Sequence, residues 1–255
     1  MKKPLILVTN DDGITAPGIR NLVDFMNEIG DVVVVAPNSP QSGKGHAITI
    51  NSTLTYEEIS MEGPQKDYAL SGTPVDCVKF ALDKILTRKP DIVVSGINHG
   101  ANSSINVIYS GTMSAAVEAG VEGLQAIGFS LLDFSWDADF SQAKTYIQEI
   151  VKKTLAHPLP KGIVLNVNIP KLKKEEIKGV KVCKQADAKW EENFDERTNP
   201  HGKKYYWLTG YFNNMDTSPE ADENALAEGY ITIVPVKFDL TAHEHIESLG
   251  NILNC

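Results

Sequence analysis

Short, continuous apolar runs separated by segments with helical spacing restrict this chain to an α/β fold. The runs cover residues 5–9, 32–36, 91–95, 126–131 and 163–168. Each run is long enough for a strand that is buried on both faces and too short for a buried helix. Strands joined through helices pair in parallel, because a crossover returns the chain to the same end of the sheet. The sequence therefore predicts a Rossmann-like core of three layers, with a mostly parallel sheet between two layers of helices.

Proline and threonine mark two helix starts between these runs. Pro17 and Pro74 suit the first turn of a helix, and Thr73 suits the N-cap of the second one. The other elements expected from the pattern are helices near 112–119, 139–155 and 243–249 and strands near 47–51, 54–59 and 229–234.

The character of the chain changes after residue 170. Charge rises and aromatic residues gather at positions 205–212, a pattern that favours hairpins. Such aromatic side chains suit packing at a subunit interface, or stacking on a nucleobase. We expect a Rossmann-like core over 1–170, an excursion for oligomerisation over 171–221, and a return to the core with a closing helix over 222–255. With 255 residues, these parts form one overall domain.

Composition excludes several classes of protein. A net charge of -9 argues against a nucleic-acid polymer as partner, because such a partner requires a basic face. The three cysteines are widely spaced and form no disulfide or zinc pattern, which favours a reducing compartment and a cytoplasmic protein. No run approaches the ~20 apolar residues of a membrane span, so no membrane partner is expected.

An acidic pair, Asp11 and Asp12, directly follows the first apolar run and precedes Gly13. Adjacent carboxylates repel each other, and a divalent cation removes that repulsion. Carboxylate, carbonyl and hydroxyl oxygens are the ligands that Mg²⁺, Mn²⁺ and Ca²⁺ prefer. The alternative is a simple turn with helix-capping acids. The pair alone leaves both interpretations open.

Three polar loops, at 10–13, 38–46 and 96–102, follow three of the predicted strands. In a doubly wound sheet the carboxyl ends of the strands meet at one edge, where ligands bind. Glycines in and near these loops let backbone N–H groups approach an anion, or simply form turns. Lys44 could neutralise a phosphate or be solvated. His46 and His99 are expected in the same crevice, either as an acid or base near neutral pH or in ordinary hydrogen bonds.

The loops carry motifs that resemble those of a known family. The motifs are, in order, Val8-Thr9-Asn10-Asp11-Asp12-Gly13-Ile14, Gln41-Ser42-Gly43, Ser71-Gly72-Thr73-Pro74-Val75-Asp76, Ser95-Gly96-Ile97-Asn98-His99-Gly100-Ala101-Asn102 and Tyr109-Ser110-Gly111-Thr112. Together they resemble the SurE family, stationary-phase survival proteins that are metal-dependent 5′-nucleotidases. The chain departs from the family where Ser39-Pro40-Gln41 replaces a basic stretch that many members carry.

The resemblance implies one divalent cation per subunit (Mg²⁺, Mn²⁺ or Ca²⁺), held by Asp11, Asp12, Ser42 and Asn98. It also implies hydrolysis of nucleoside 5′-monophosphates, with activity on 3′-nucleotides and polyphosphate left open. Homodimers or homotetramers that exchange a C-terminal arm are implied as well, which would suit the excursion over 171–221.

The mechanism expected from these residues is metal-assisted hydrolysis of a phosphomonoester. Either Asp11 or Asp12 would orient or deprotonate the attacking water, and His99 would protonate the leaving alkoxide. The groups expected to hold the phosphate are Gly43, Asn102, Ser110, Gly111 and Thr112.

Two other classes of protein also fit parts of the pattern. A Mg²⁺-binding signalling receiver, without hydrolase activity, likewise has an acidic pair after its first strand. A receiver, however, needs a phosphoacceptor aspartate at the end of a central strand, where this chain has Ser95-Gly96-Ile97-Asn98. A dinucleotide-binding oxidoreductase needs the glycine pattern G-x-G-x-x-G after the first strand, which is replaced here by the acidic pair.

Overall fold

The computed structural model describes residues 3–135 and 137–253. Its strands are β1 (Leu5–Thr9), β2 (Asp31–Pro37), β3 (Tyr56–Ile59), β4 (Lys66–Leu70), β5 (Ile92–His99), β6 (Ala126–Leu131), β7 (Ile163–Ile169), β8 (Val180–Val182), β9 (Ala188–Thr198), β10 (Lys204–Asn214) and β11 (Ile231–Lys237). Its α-helices are α1 (Pro17–Asn27), α2 (Pro74–Phe80), α3 (Gly111–Val121), α4 (Lys144–Ala156), α5 (Asp222–Ala227) and α6 (Ile246–Leu253). A π-helical turn, Ala81–Ile85, extends α2, and 3₁₀ turns precede α3, α4 and α6.

Nine of these strands form one sheet, in the order β3-β4-β2-β1-β5-β6-β7-β11-β8. Within this sheet, among the described residues, only β3 against β4 and β11 against β7 pair antiparallel. The predicted α/β class with a mostly parallel sheet is therefore confirmed. β1 lies between β2 and β5, so the chain leaves β1 in one direction and later returns on its other side. A crevice forms beyond the carboxyl ends of the strands at such a reversal.

Helices cover both faces of the sheet and complete two hydrophobic cores. One core joins apolar side chains of α1 and α4 to one face, and the other joins those of α2 and α3 to the opposite face. Each large aliphatic side chain that is fully buried contributes ~1.5–3 kcal/mol. Gly18 lets α1 approach β5, because a Cβ at this position would lie 2.0 Å from the carbonyl oxygen of Ile97.

The N-terminus of α2 was predicted correctly. The Thr73 side chain accepts a hydrogen bond from the Asp76 backbone N–H at 3.1 Å, and the Asp76 carboxylate accepts one from the Thr73 N–H at 2.9 Å. This reciprocal capping box fixes the first turn.

The strand predicted near 47–51 is absent, and β4 was not predicted. Ile48 and Ile50 point to solvent, and α2 takes up the backbone groups of this segment. The Thr49 N–H donates to the Asp76 carboxylate at 3.0 Å, and Thr73 donates to the carbonyl of Ala47 at 2.7 Å. Residues 47–51 have an alternating apolar pattern but no partner strand, so they form a loop that is hydrogen-bonded to the start of α2.

β5 is longer than predicted and carries the chain to His99. Its pairing register against β6 shifts between Ser95 and Asn98. Gly96 makes this possible, because its φ is +127° and a Cβ there would lie 2.3 Å from the carbonyl oxygen of Phe129. The extension places Asn98 and His99 at the carboxyl edge of the sheet.

The chain after residue 170 contributes to both the sheet and the surface. β8 joins the sheet edge beside β11, whereas β9 and β10 form a separate hairpin. Beyond β11 the segment 238–253 is exposed, and α6 buries none of its described side chains. Among the described residues no helix is long and apolar enough to cross a membrane. Cys77 and Cys183 are free thiols, and Cys255 lies outside the described residues.

Candidate active site

The three polar loops meet at the carboxyl edge of β1, β2 and β5 and enclose a cavity of about 210 Å³. Its lining residues are Asp11, Asp12, Ser42, Gly43, Asn98, His99, Ala101, Asn102, Asn106, Tyr109 and Ser110. The four residues implied as metal ligands are therefore brought together. The lining also includes His99 and three of the five residues expected to hold phosphate.

Asp11 is held firmly at the inner wall of the cavity. Its carboxylate accepts hydrogen bonds from the Thr112 hydroxyl and from the Gly111 backbone. Its carbonyl accepts from the Gln41 N–H at 2.7 Å, which ties the loop after β2 to the acidic pair. Burial, and then the neighbouring Asp12 charge, raise the pKa of Asp11 to about 6 despite these hydrogen bonds. The free carboxyl group thus lies in an environment that opposes its negative charge.

The approach of α3 to Asp11 requires a glycine. A Cβ at Gly111 would lie 2.6 Å from the Cβ of Asp11 and 2.8 Å from its carboxylate oxygen. The first turn of α3 therefore faces this carboxylate with free N–H groups and a partial positive charge. Gly111 and Thr112 lie behind Asp11 rather than on the cavity wall.

The Asp12 carboxylate is less fully hydrogen-bonded than that of Asp11. Its Oδ2 is buried and has no hydrogen-bond partner among the described residues. Burial raises the pKa of Asp12, and the nearby His99 partly offsets this effect. A buried carboxylate oxygen without a partner is costly, and it is placed to bind a cation or a water on one.

Ser42 and Asn98 complete a set of oxygen ligands. The Asn98 amide nitrogen donates to the Gly100 carbonyl at 2.8 Å, which leaves its Oδ1 for another partner. Ser42 lies on an exposed loop that is held at its far end by Gly45, whose N–H donates to the Tyr109 carbonyl at 3.3 Å. Among the described residues no cluster of three or more His, Cys, Asp or Glu could hold a metal. The site combines two carboxylates with a hydroxyl and an amide oxygen, a set that fits a hard divalent cation.

His99 is oriented by the loop after β6. Its Nδ1 lies 2.9 Å from the Ser135 carbonyl, and its ring meets the Phe140 ring edge-on at 5.1 Å between centroids. A carbonyl can only accept, so Nδ1 carries a proton. Nε2 is therefore the ring nitrogen that would exchange a proton in an acid–base role.

Asn102 and Ser110 are fixed by neighbouring elements. The Asn102 N–H donates to Asn168 Oδ1 at 2.8 Å and its side-chain amide donates to Ser130 Oγ at 2.8 Å, so the ends of β6 and β7 place it. Ser110 caps α3 by accepting from the Met113 N–H at 3.0 Å. The Ser110 hydroxyl proton remains available as a donor. Gly43 is exposed, with a φ of +73°.

His46, which was expected in the crevice, lies elsewhere, and so does Lys44, for which phosphate binding and solvation were both left open. His46 is not part of the lining, and its Nε2 lies 2.8 Å from the buried carboxylate of Glu118 on α3. This hydrogen bond lowers the pKa of Glu118. Lys44 donates to the Gln41 side chain at 2.6 Å. Both residues thus act within the structure of the loop and its contact with α3.

Sequence reasoning missed Ala101, Asn106 and Tyr109 as lining residues. Tyr109 stands directly before Ser110-Gly111-Thr112, so its proximity to the site was available from the motif. Asn106 faces the cavity because the segment Ser104–Ile108 folds as a 3₁₀ turn. Local sequence pattern did not predict this turn. Ser104 adopts a φ of +52°, a conformation that is expected from sequence mainly at glycine.

Comparisons with known proteins agree with this geometry. Residues 6–192 match the family model described as survival protein SurE. The chain is 66% identical over 252 residues to the 5′-nucleotidase SurE of Christiangramia forsetii, covering 98% of this chain and 97% of the relative. It is 64% identical over 252 residues to the 5′-nucleotidase SurE of Flavobacterium psychrophilum, covering 98% of each.

A solved structure gives the same result. The SurE protein from Aquifex aeolicus superposes with a TM-score of 0.86 at 36% identity, covering 98% of this chain and 100% of that one. The receiver interpretation is not supported, because β5 ends in Asn98 and His99 without a phosphoacceptor aspartate and the match spans far more than a receiver. The motifs, the fold and the full-length similarity agree, and the chain belongs to the SurE family.

Proposed function

We propose that the protein is a divalent-metal-dependent 5′-nucleotidase that hydrolyses nucleoside 5′-monophosphates to nucleoside and phosphate. The observation that carries this proposal is the meeting of a buried and a partly buried carboxylate, a serine and an asparagine in one cavity at the sheet edge. Two relatives that are 64–66% identical to the chain are named 5′-nucleotidase SurE. The cavity has room for a phosphate group but is lined by acids, so it needs a cation before it can accept an anion.

Asp11, Asp12, Ser42 and Asn98 would hold one cation per subunit, with Mg²⁺, Mn²⁺ and Ca²⁺ as the candidates. When bound, the cation supplies positive charge for the phosphate oxygens and lowers the pKa of a coordinated water. Asp11 acts mainly as a ligand, because Thr112, Gly111 and the strand end fix it.

Asp12 is the carboxylate that orients or deprotonates the attacking water. Its Oδ2 has no partner among the described residues, whereas Asp11 is already engaged. His99 donates a proton from Nε2 to the departing alkoxide, since its Nδ1 is fixed on Ser135. The Ser110 hydroxyl, the Gly43 N–H and the Asn102 amide hold phosphate oxygens. Gly111 and Thr112 support this arrangement through Asp11.

Release of inorganic phosphate from a panel of nucleoside 5′-monophosphates tests the proposal. We expect turnover with Mg²⁺ or Mn²⁺, loss of turnover in EDTA, and recovery when the cation is restored. Asp12→Asn should abolish turnover, whereas Asp24→Asn, an exposed change on α1, should not. Turnover that EDTA leaves unchanged would contradict the metal-dependent mechanism. The same panel, extended to 3′-nucleotides and polyphosphate, defines how broad the activity is.

We further propose that the protein is a homodimer or homotetramer that exchanges its C-terminal arm. The segment 238–253 carries exposed apolar side chains, including Leu240, Ile246 and Ile252. None of the described side chains of α6 is buried. The excursion over 171–221 contains the exposed β9–β10 hairpin and suits a second contact. Light scattering on the full chain and on a chain ending at Lys237 tests this proposal. If both chains form particles with the same number of subunits, the proposal is contradicted.

Cytoplasmic localisation is proposed on the buried free thiols of Cys77 and Cys183, which suit a reducing compartment. Cell fractionation followed by immunodetection tests it, and recovery of the protein outside the cytoplasmic fraction would contradict it.

A further inference from the structure

Ser42 is the implied metal ligand with the least support from its own segment. The other three lie at or just after the ends of β1 and β5, whereas Ser42, Gly43 and Lys44 are exposed and belong to no helix or strand. Gly43 and Gly45 adopt φ angles of +73° and +54°, and a glycine backbone has few steric restraints of its own. The geometry of this stretch therefore depends on what holds its two ends.

Backbone hydrogen bonds fix both ends, but not equally well. Before the stretch, the Gln41 N–H donates to the Asp11 carbonyl at 2.7 Å, which ties it to the end of β1. After it, the Gly45 N–H donates to the Tyr109 carbonyl at 3.3 Å. This second bond is long and therefore weaker. The far end of the stretch needs another contact to be held as firmly as the near end.

A buried carboxylate supplies that contact. Glu118 on α3 is 3% exposed, and His46 Nε2 lies 2.8 Å from its Oε2. Lys79 of α2 approaches the other carboxylate oxygen, with 2.5 Å between Nζ and Oε1. The hydrogen bond from His46, and after it that from Lys79, lowers the pKa of Glu118 against the effect of burial, so the carboxylate is ionised at neutral pH. His46 Nε2 is therefore the donor, because an ionised carboxylate can only accept.

The helix α3 thereby connects two of the implied ligands. Its first turn holds the Asp11 carboxylate through Thr112, and Glu118 lies six residues after Thr112 in the same helix, ~9 Å further along the axis. The chain beyond the exposed stretch is fastened to α2, where Thr73 donates to the Ala47 carbonyl at 2.7 Å. The contact with Glu118 thus lies where the exposed stretch ends and the fixed chain begins.

We propose that Glu118 is a positioning residue for the metal site, acting through His46 on the loop that carries Ser42. This inference rests on the proposed metal-dependent function. A loop that is already held in the metal-free protein spares the cation the cost of ordering it. Loss of the contact leaves every ligand present but the loop less ordered, so the cation binds more weakly.

Amide hydrogen exchange in EDTA measures the order of the loop without metal or substrate. In His46→Ala, residues 42–47 should exchange about fivefold faster than in wild type or more, while α2 and α3 keep their protection. The Kd for Mn²⁺, measured by calorimetry, should rise about fivefold or more, the cost of ordering roughly one loop residue. His46→Gln keeps an N–H donor of similar reach and should restore most of both losses.

Three other variants serve as controls. His201→Ala removes an exposed histidine from the turn between β9 and β10 and should change neither value. Ser42→Ala removes the implied ligand itself, so it should weaken Mn²⁺ binding without faster exchange. Glu118→Leu replaces the carboxylate by an apolar side chain of similar size and should reproduce His46→Ala. Adding His46→Ala to Glu118→Leu should cause little further loss, because both changes cut the same contact.

Unchanged exchange of the loop in His46→Ala would overturn the proposal, and so would faster exchange with an unchanged Kd for Mn²⁺. Faster exchange spread equally over the loop, α2 and α3 would also overturn it, because it marks a general loss of stability. The exchange measurement does not depend on catalysis. The proposed nucleotidase function fails separately, if the wild type with Mn²⁺ releases no phosphate from nucleotides.

Discussion

Asp11 should make the metal-free protein less stable as pH rises, and Asp11→Asn should remove that effect. Its pKa rises from the ordinary 3.8 to about 6 on folding, mainly through burial. Each pKa unit corresponds to ~1.4 kcal/mol, so the ionised form costs about 3 kcal/mol of folding free energy. The folded state keeps the proton that the unfolded state has already lost, so this stability is complete below pH ~4 and is lost by pH ~7.

The assay is urea unfolding in EDTA at pH 4, 5, 6 and 7, at one protein concentration. The free energy of unfolding of Asp11→Asn relative to wild type should increase by about 3 kcal/mol across this range, because the amide does not ionise. In a chain of this size that corresponds to about 6–12 °C in Tm. Asp24→Asn is the control, because this residue is exposed on α1.

Added Mn²⁺ sharpens the same experiment. It should stabilise the wild type at pH 7, because a ligand that binds only the folded state adds to its stability, and it should do little for Asp11→Asn. If the free energies of unfolding of Asp11→Asn and wild type change in parallel with pH in EDTA, then ionisation of the buried Asp11 does not destabilise the metal-free protein.

Substitutions at Thr112, His99 and Gly18 test the site and the packing of α1 against β5. In Thr112→Val the Kd for Mn²⁺, measured by calorimetry, should rise about tenfold or more, because a hydrogen bond to a charged group contributes ~1.5–3 kcal/mol. Thr112→Ser keeps the hydroxyl and should bind Mn²⁺ nearly as tightly as wild type. An equal loss of affinity in both variants would contradict the role of the hydroxyl. His99→Gln should lower kcat by roughly 10²–10⁴ while Mn²⁺ binding is kept, and an unchanged kcat would remove it from proton transfer. Gly18→Ala should destabilise the fold by ~1–3 kcal/mol or more in thermal melts, because its Cβ would overlap a carbonyl of β5. Gly250→Ala on the exposed α6 should leave the stability unchanged. Equal melting temperatures for the two variants would contradict this packing.

The sheet and the acidic pair could be read from the sequence because both depend on local pattern. Buried strands such as β1 and β6 are continuous apolar runs, and their ends are marked by turn residues. β4 escaped because its sequence, Lys66–Leu70, mixes charged and apolar residues. It becomes a strand only through pairing with β2 and β3, which is tertiary information.

Local sequence pattern could not predict the contact between the β9–β10 hairpin and a residue that lines the cavity. Trp190 and Asn106 are 84 residues apart, and they meet only because the segment after β8 returns to the site. His46 illustrates the converse. Its position in a polar loop predicted a place in the crevice, but the buried Glu118 on α3 offers it a stronger partner. Glu118 is 72 residues away along the chain, so local sequence pattern does not show that it lies beside His46.

The pairing of β1 with β5 has a consequence for how the enzyme is made. Thr9 lies opposite Ser95, so Asp11 and Asn98 meet only when these strands align in this register. A slip of one residue would move one ligand by ~3.3 Å and turn alternate side chains to the opposite face. That displacement exceeds the ~2.1 Å length of a bond to Mg²⁺. A cation held by Asp11 and Asn98 together would therefore bind only the correctly aligned sheet, and it would stabilise that alignment over a slipped one.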